Sequence, residues 1–190
     1  MKFSPKSPWL LAVLGVGALA ALACDPGGVG DPCIPEDEYH PEFGGYAETE
    51  ANVETKSFQC VTRVCLVNHF RGRASCPYGQ TEAEVDAQNY QCTIPGTTDE
   101  FVTVPVAPQF EERREFDAVY CSCRCDGPDA NARYCECPSG YSCEELVPDL
   151  GGSLGSGQLA GSYCVKDGTR YDTRNPPVGD CVRPNCDNTE

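Results

Sequence analysis

Large aliphatic side chains are scarce in this 190-residue chain. Beyond residue 23, Leu, Ile, Val and Phe hold only about 16% of positions, below the roughly 20% under which a highly charged chain usually stays disordered. That scarcity excludes a large oily core and a polytopic membrane protein. Cations are scarce as well. Fourteen Lys and Arg stand against 29 Asp and Glu, giving a net charge of −15. An acidic surface repels phosphate, so an electrostatic nucleic-acid binder is excluded. The sequence has no C-x-x-C, no H-E-x-x-H and only two histidines, His40 and His69. Its one long apolar run, residues 9–23, is short of the roughly 20 residues that span a bilayer.

What the chain has instead is cysteine, 15 in all. A thin core combined with dense cysteine points to a disulfide scaffold in an oxidising compartment. The expected fold is small, disulfide-rich, mainly β and irregular, with short antiparallel hairpins and little helix. Fifteen is odd, so one cysteine stands outside the pairing. Setting aside Cys24, which directly follows the apolar run, leaves an even set, Cys33, Cys60, Cys65, Cys76, Cys92, Cys121, Cys123, Cys125, Cys135, Cys137, Cys143, Cys164, Cys181 and Cys186, expected to form bridges with partners that sequence cannot assign. Five of these precede the Pro-rich stretch at 105–108 and nine follow it. Two odd sets cannot both close internally, so at least one bridge crosses, and one cross-linked body is expected rather than two independent domains.

Residues 1–8 are basic without an acid, and residues 9–23 (WLLAVLGVGALAALA) are apolar and end in small side chains. This is the pattern of a secretory signal peptide over 1–23. The junction Ala21-Leu22-Ala23-Cys24 resembles the lipobox of bacterial lipoproteins, with Ala21 at the place where Leu is commonest. The resemblance implies cleavage before Cys24, a diacylglycerol on its thiol and acylation of the new amine by a palmitate-type chain. One acyl chain binds a membrane marginally and two or more hold. Asp25 follows, and the resemblance leaves open whether the inner or outer membrane is the destination.

Residues 25–55 carry nine acids and no Lys or Arg, with Gly and Pro throughout. Like charges extend a chain, so 24–55 is expected to be a lipid-anchored tether, partly stapled through Cys33, and 56–190 the body. Val and Thr over 52–68 predict one or two strands. Thr81 and Glu84 have capping-box spacing, predicting a helix over 82–89. Phe101–Val104 reads as a strand. In YCSCRC (120–125), Cys121, Cys123 and Cys125 share one face, and neighbours on it are too widely spaced to pair comfortably. They are expected to bond to other segments, and 120–125 with 134–137 to form a hairpin. Lys166-Asp167-Gly168-Thr169 predicts a second hairpin through a type I′ turn. The Gly/Ser stretch 151–162 predicts a flexible loop without the Lys of a phosphate-binding loop.

Chemistry-bearing patterns are few. Zinc favours C-x-x-C or Cys/His clusters, and thiol exchange needs an accessible low-pKa cysteine. Asp126, Asp129 and Asn131 offer oxygens for calcium in one turn, but the same residue types make turns. His69, beside Phe70, could be a base, although a lone His so placed is more often structural. Arg63, Arg71, Arg73, Arg113 and Arg114 form the only basic region, to be spent on internal pairing or on an acidic polysaccharide or protein partner.

Cys135-Glu136-Cys137-Pro138-Ser139-Gly140-Tyr141 resembles the C-x-C-x-x-G-Y piece of EGF-like and trypsin-inhibitor-like modules. The stretches 59–80, 119–129, 134–143 and 161–171 together resemble cysteine-rich lipoproteins of myxobacteria. That resemblance implies an envelope location and disulfides and lends no mechanism. The expected function is therefore a non-enzymatic cell-envelope lipoprotein with a structural or interaction role. Its partners would be the membrane, through the anchor, and an envelope protein or polysaccharide. The alternative is a disulfide-rich inhibitor of a protease or similar enzyme.

Overall fold

The run Val64–Val67 contains no turn former, and with Asn68 it becomes a strand buried along its whole length. It is β2 of a computed structural model that describes residues 27–149 and 159–186. Two strands, β1 (Ala51–Glu54) and β3 (Val119–Ser122), pair with it antiparallel, one on each side. Side chains alternate across a strand, so the sheet feeds a separate core on each face. Cys65 and Val67 of β2 join Val119 and Cys121 of β3, with Cys33, Tyr46, Cys60 and Phe70. On the other face Val64, Leu66 and Tyr120 meet Tyr163.

Tyr163 belongs to a second antiparallel sheet, made of β4 (Arg124–Asp126), β5 (Tyr141–Val147) and β6 (Gly161–Lys166) in the order β4-β6-β5. The Tyr120 hydroxyl accepts the Lys166 N–H, and its ring meets Tyr141 edge-on at 5.7 Å, which joins the two sheets. Most of the Gly/Ser stretch lies outside the described residues, its end forming the start of β6. A third small core gathers Cys76, Cys92, Ile94, Val102 and Val106. Two short helices, α1 (Glu82–Asp86) and α2 (Glu115–Ala118), complete the described elements, with a 3-10 turn at Glu36–Tyr39. The fold is thus small, disulfide-rich and mainly β, as the composition predicts.

All fourteen cysteines of the described residues are bridged: Cys33–Cys65, Cys60–Cys121, Cys76–Cys92, Cys123–Cys135, Cys125–Cys143, Cys137–Cys164 and Cys181–Cys186. Cys60–Cys121 is the bridge that crosses the Pro-rich stretch. Cys121, Cys123 and Cys125 each bond to a different distant segment, as their common face requires.

Several local expectations hold and others are corrected. The capping box forms, with Thr81 Oγ1 accepting the Glu84 N–H and the Glu84 carboxylate accepting the Thr81 N–H. The helix ends at Asp86, because Gln88 takes a left-handed φ of 54° and none of its residues is buried. Phe101–Val104 forms no strand. Instead the Gln80 amide donates to the carbonyls of Val102 and Val104 and accepts the N–H groups of Gln91 and Cys92, doing with one side chain what a neighbouring strand would do. The pair 120–125 and 134–137 is no ladder hairpin either. Its link is the Cys123–Cys135 bridge and one bond from Cys135 N–H to Arg124 C=O. The turn after β6 closes from Thr169 N–H to Lys166 C=O, but only Gly168 has positive φ, where a type I′ turn needs two such residues. Among the described residues no strand returns after it.

The largest correction concerns the acidic segment. Residues 27–54 do not stand off as a spacer but are folded onto the body. Pro and Gly supply its turns, Cys33 staples it to β2, and β1 is itself part of it. Gly45 and Gly72 lie back to back, the Tyr46 N–H and C=O bonding to Gly72. A Cβ at Gly72 would stand 2.3 Å from the Ala107 carbonyl oxygen, at a φ of +82°. Three of the segment's acids find backbone donors. Asp31 accepts the Gly28 N–H, Glu54 accepts the Glu36 N–H, and Glu38, fully buried, accepts the N–H groups of Ala74 and Ser75.

Candidate functional site

Cysteine chemistry comes first, because the sulfurs gather in groups. Cys33, Cys60 and Cys121 have sulfurs within 4.8 Å of one another, as do Cys123, Cys135 and Cys164, and Cys125, Cys137 and Cys143. Each of these sulfurs is committed to a bridge, and a disulfide sulfur is not the thiolate that binds zinc. The groups arise where two bridges cross a thin core, and Cys164 Sγ passes 3.5 Å from Cys123 Sγ.

Asp126, Asp129 and Asn131 act as turn formers. Asp126 Oδ1 accepts the Gly127 N–H and Asp129 Oδ1 accepts the Asn131 N–H. Each of these local bonds uses one oxygen of its carboxylate. Among the described residues, the groups with metal-ligating geometry are the cysteine ones. A separate acidic cleft of about 190 Å³ lies between the 3-10 turn and β1, lined by Glu36, Asp37, Glu54 and Tyr46. Burial, with Glu36 and Asp37 nearby, raises the Glu54 carboxyl, although the Glu36 N–H pulls it down. Burial and the same acidic surroundings push the Tyr46 phenol far above its ordinary range, so it stays protonated and donates to Asp37 Oδ2.

His69 is built into the fold. Its ring stacks on Tyr171 at 4.3 Å with planes 4° apart, and Nδ1 lies 2.9 Å from the Glu48 carbonyl, which fixes Nδ1 as the protonated nitrogen. Burial lowers its pKa, and the Arg113 cation adds to that. Among the described residues the ring's hydrogen-bond partner is that backbone carbonyl, with neither a nucleophile nor an orienting carboxylate on it. The residues Gly151-Gly152-Ser153-Leu154-Gly155 have the G-x-S-x-G spacing of a hydrolase elbow, which sequence reasoning passed over. They lie outside the described residues.

The arginines settle mostly inside. Arg73 is fully buried and donates to the carbonyls of Glu38, His40 and Phe43. Arg113 donates to those of Asn68, His69 and Thr169. Arg114 reaches Cys186 C=O, and Arg71 bonds Pro108 C=O and Asp180 while covering the Phe110 ring. Guanidinium forks thus replace the backbone ladder that the irregular segments lack. These four make no continuous cationic surface, and only Arg63 of the five is exposed, with its guanidinium 4.4 Å from the centre of the Phe58 ring.

Exposed large apolar side chains are the feature that sequence reasoning missed. Phe58 is 81% exposed and Val61 64%, both in the loop between β1 and β2. The signal was present in Lys56–Arg63, where two cations flank two apolar residues, but nothing in the sequence said which way they face. The chain matches no known family model, no curated protein and no solved structure.

Proposed function

We propose that this protein is a non-enzymatic lipoprotein of the cell envelope, held in a bilayer by acyl chains on Cys24, with a disulfide-locked body that serves a structural or interaction role. The observation that carries this reading is the cysteine inventory. Seven bridges take up every cysteine from Cys33 to Cys186, which leaves Cys24 as the fifteenth, at the lipobox position. Seven disulfides belong in an oxidising compartment outside the cytoplasm. The body faces the periplasm or the exterior and meets an envelope protein or polysaccharide there.

Intact mass of the mature protein, taken unreduced and then reduced and alkylated, tests this. The expected result is no alkylation before reduction, fourteen alkylated thiols after it, and an acylated N-terminal Cys24. Cys24→Ala removes the lipid and leaves unprocessed precursor. An unmodified Cys24, or a Cys24→Ala protein that is processed and partitions with membranes as before, overturns the reading.

A further inference from the structure

The first described residue sits against the exposed apolar loop. Gly27 N–H donates to Gln59 C=O at 2.7 Å, and Val61 N–H donates to Gly27 C=O at 2.9 Å. Three peptide units separate Cys24 from Gly27 and span at most about 11 Å, whatever path they take. A headgroup layer is about 5–8 Å deep on each side of the hydrocarbon. If Cys24 is acylated, the loop at 56–63 is therefore confined to the membrane surface.

The loop suits that place. Phe58 and Val61 are its most exposed apolar side chains. Lys56 and Arg63, both exposed, flank them, and these are the first cations after residue 24 in an otherwise acidic N-terminal region. The Arg63 guanidinium lies over the Phe58 ring, so one projection carries an apolar body and a charged head. The nearby Asp31 carboxylate is turned onto the Gly28 N–H. The loop is also held in shape. Cys60 is bridged to Cys121 of β3, Gln59 makes two bonds to the backbone of Ile34, and Ser57 N–H bonds to Arg63 C=O. A rigid projection loses little entropy on inserting.

We propose that the 56–63 loop is a second, non-covalent contact with the phospholipid bilayer: Phe58 and Val61 enter the headgroup boundary while Lys56 and Arg63 meet lipid phosphates. This rests on the reading that Cys24 is acylated, and it goes beyond that reading by fixing which face of the body lies on the membrane.

The test uses the full mature protein reconstituted into phospholipid vesicles, with Phe58→Trp as the probe. The only Trp of the chain, Trp9, lies in the segment read as the removed leader, so the probe emits alone. Val178→Trp is the comparison. Val178 is exposed and bonds Glu112, next to the Arg113 that grips the Asn68 end of β2, away from the loop at the Val64 end. The expected result is that lipids brominated high on the acyl chain quench Phe58→Trp and leave Val178→Trp bright. Removing an inserted Phe or Val weakens partitioning about tenfold or more, so in the Phe58→Trp background Val61→Ser is expected to reduce the quenching. With Cys24 shown by mass to be acylated, an unquenched Phe58→Trp, or equal quenching at both positions, overturns the loop proposal alone. An unacylated Cys24 overturns the lipoprotein reading and this placement together.

Discussion

Replacing Arg73 by Met tests what holds the acidic segment to the body. Arg73 and Glu38 are both fully buried, with the guanidinium Nε 3.9 Å from a carboxylate oxygen. The carboxylate is spent on the N–H groups of Ala74 and Ser75, and the guanidinium on three carbonyls of the 38–43 turn. The Arg73 carbonyl in turn accepts from the Gln109 amide. Met keeps apolar bulk but leaves a buried carboxylate without its counter-charge and takes the guanidinium away from three carbonyls, of which only His40 C=O keeps another donor, the Phe43 N–H. Breaking a buried pair from one side costs about 3–5 kcal/mol. Spread over a domain of this size, that lowers the midpoint of thermal unfolding by about 6–20 °C. Near-ultraviolet circular dichroism with all bridges intact is the assay, since Tyr46 and Tyr120 report the packing. Combining Arg73→Met with Glu38→Gln is expected to cost less than the sum of the two single changes, because the second removes the charge that the first stranded. A loss below about 1 kcal/mol in Arg73→Met, or strict additivity in the pair, would refute the view that this pair clamps residues 36–46 in place.

Three further outcomes follow from the structure. Cys60→Ala with Cys121→Ala removes the bridge that joins the two halves across a sequence separation of 61. Loop-closure entropy puts the loss near 4 kcal/mol, and an unchanged denaturant midpoint would contradict it. His69 has its pKa lowered by burial, so between its folded value and the ordinary 6.5 the unfolded chain binds more protons. Its contribution is present above about pH 6.5 and is lost as pH falls through that window. Wild type is therefore expected to lose thermal stability more steeply than His69→Phe over that descent, and parallel curves would count against it. Thr81→Ala removes an exposed cap and is expected to cost about 1 kcal/mol, with amide exchange speeding up over 82–86 while the β2 amides keep their protection. Equal loss of protection in β2 would mean that α1 carries more of the fold than its lack of buried side chains allows.

Much of the local chemistry was legible in the residues. The capping box needs only Thr81 and Glu84 at the right separation, and β2 is built on the apolar run Val64–Val67. Cysteine parity required a crossing bridge, and Cys60–Cys121 is one. What misled was reading charge as exposure. Nine acids in a row of Gly and Pro suggest a solvated chain, yet Glu38 lies fully buried because Arg73, 35 positions away, reaches back to its carbonyl. Phe101–Val104 misled in the opposite sense: its pattern is a strand's, but its backbone pairs only at the isolated Thr93–Phe101 bridge, and the Gln80 side chain takes the carbonyls of Val102 and Val104.

The sequence by itself determined that the protein is held by sulfur rather than by oil, because too few aliphatic residues exist to build any other interior. It also determined that the cysteine count is odd and that Cys24 directly follows an apolar run. Only the tertiary structure decided which cysteines meet, which arginines turn inward and which apolar loop lies beside the chain's entry into the body. Pairing and burial depend on distances between segments far apart along the chain. Those distances are set by packing on both faces of β2, which no local pattern encodes.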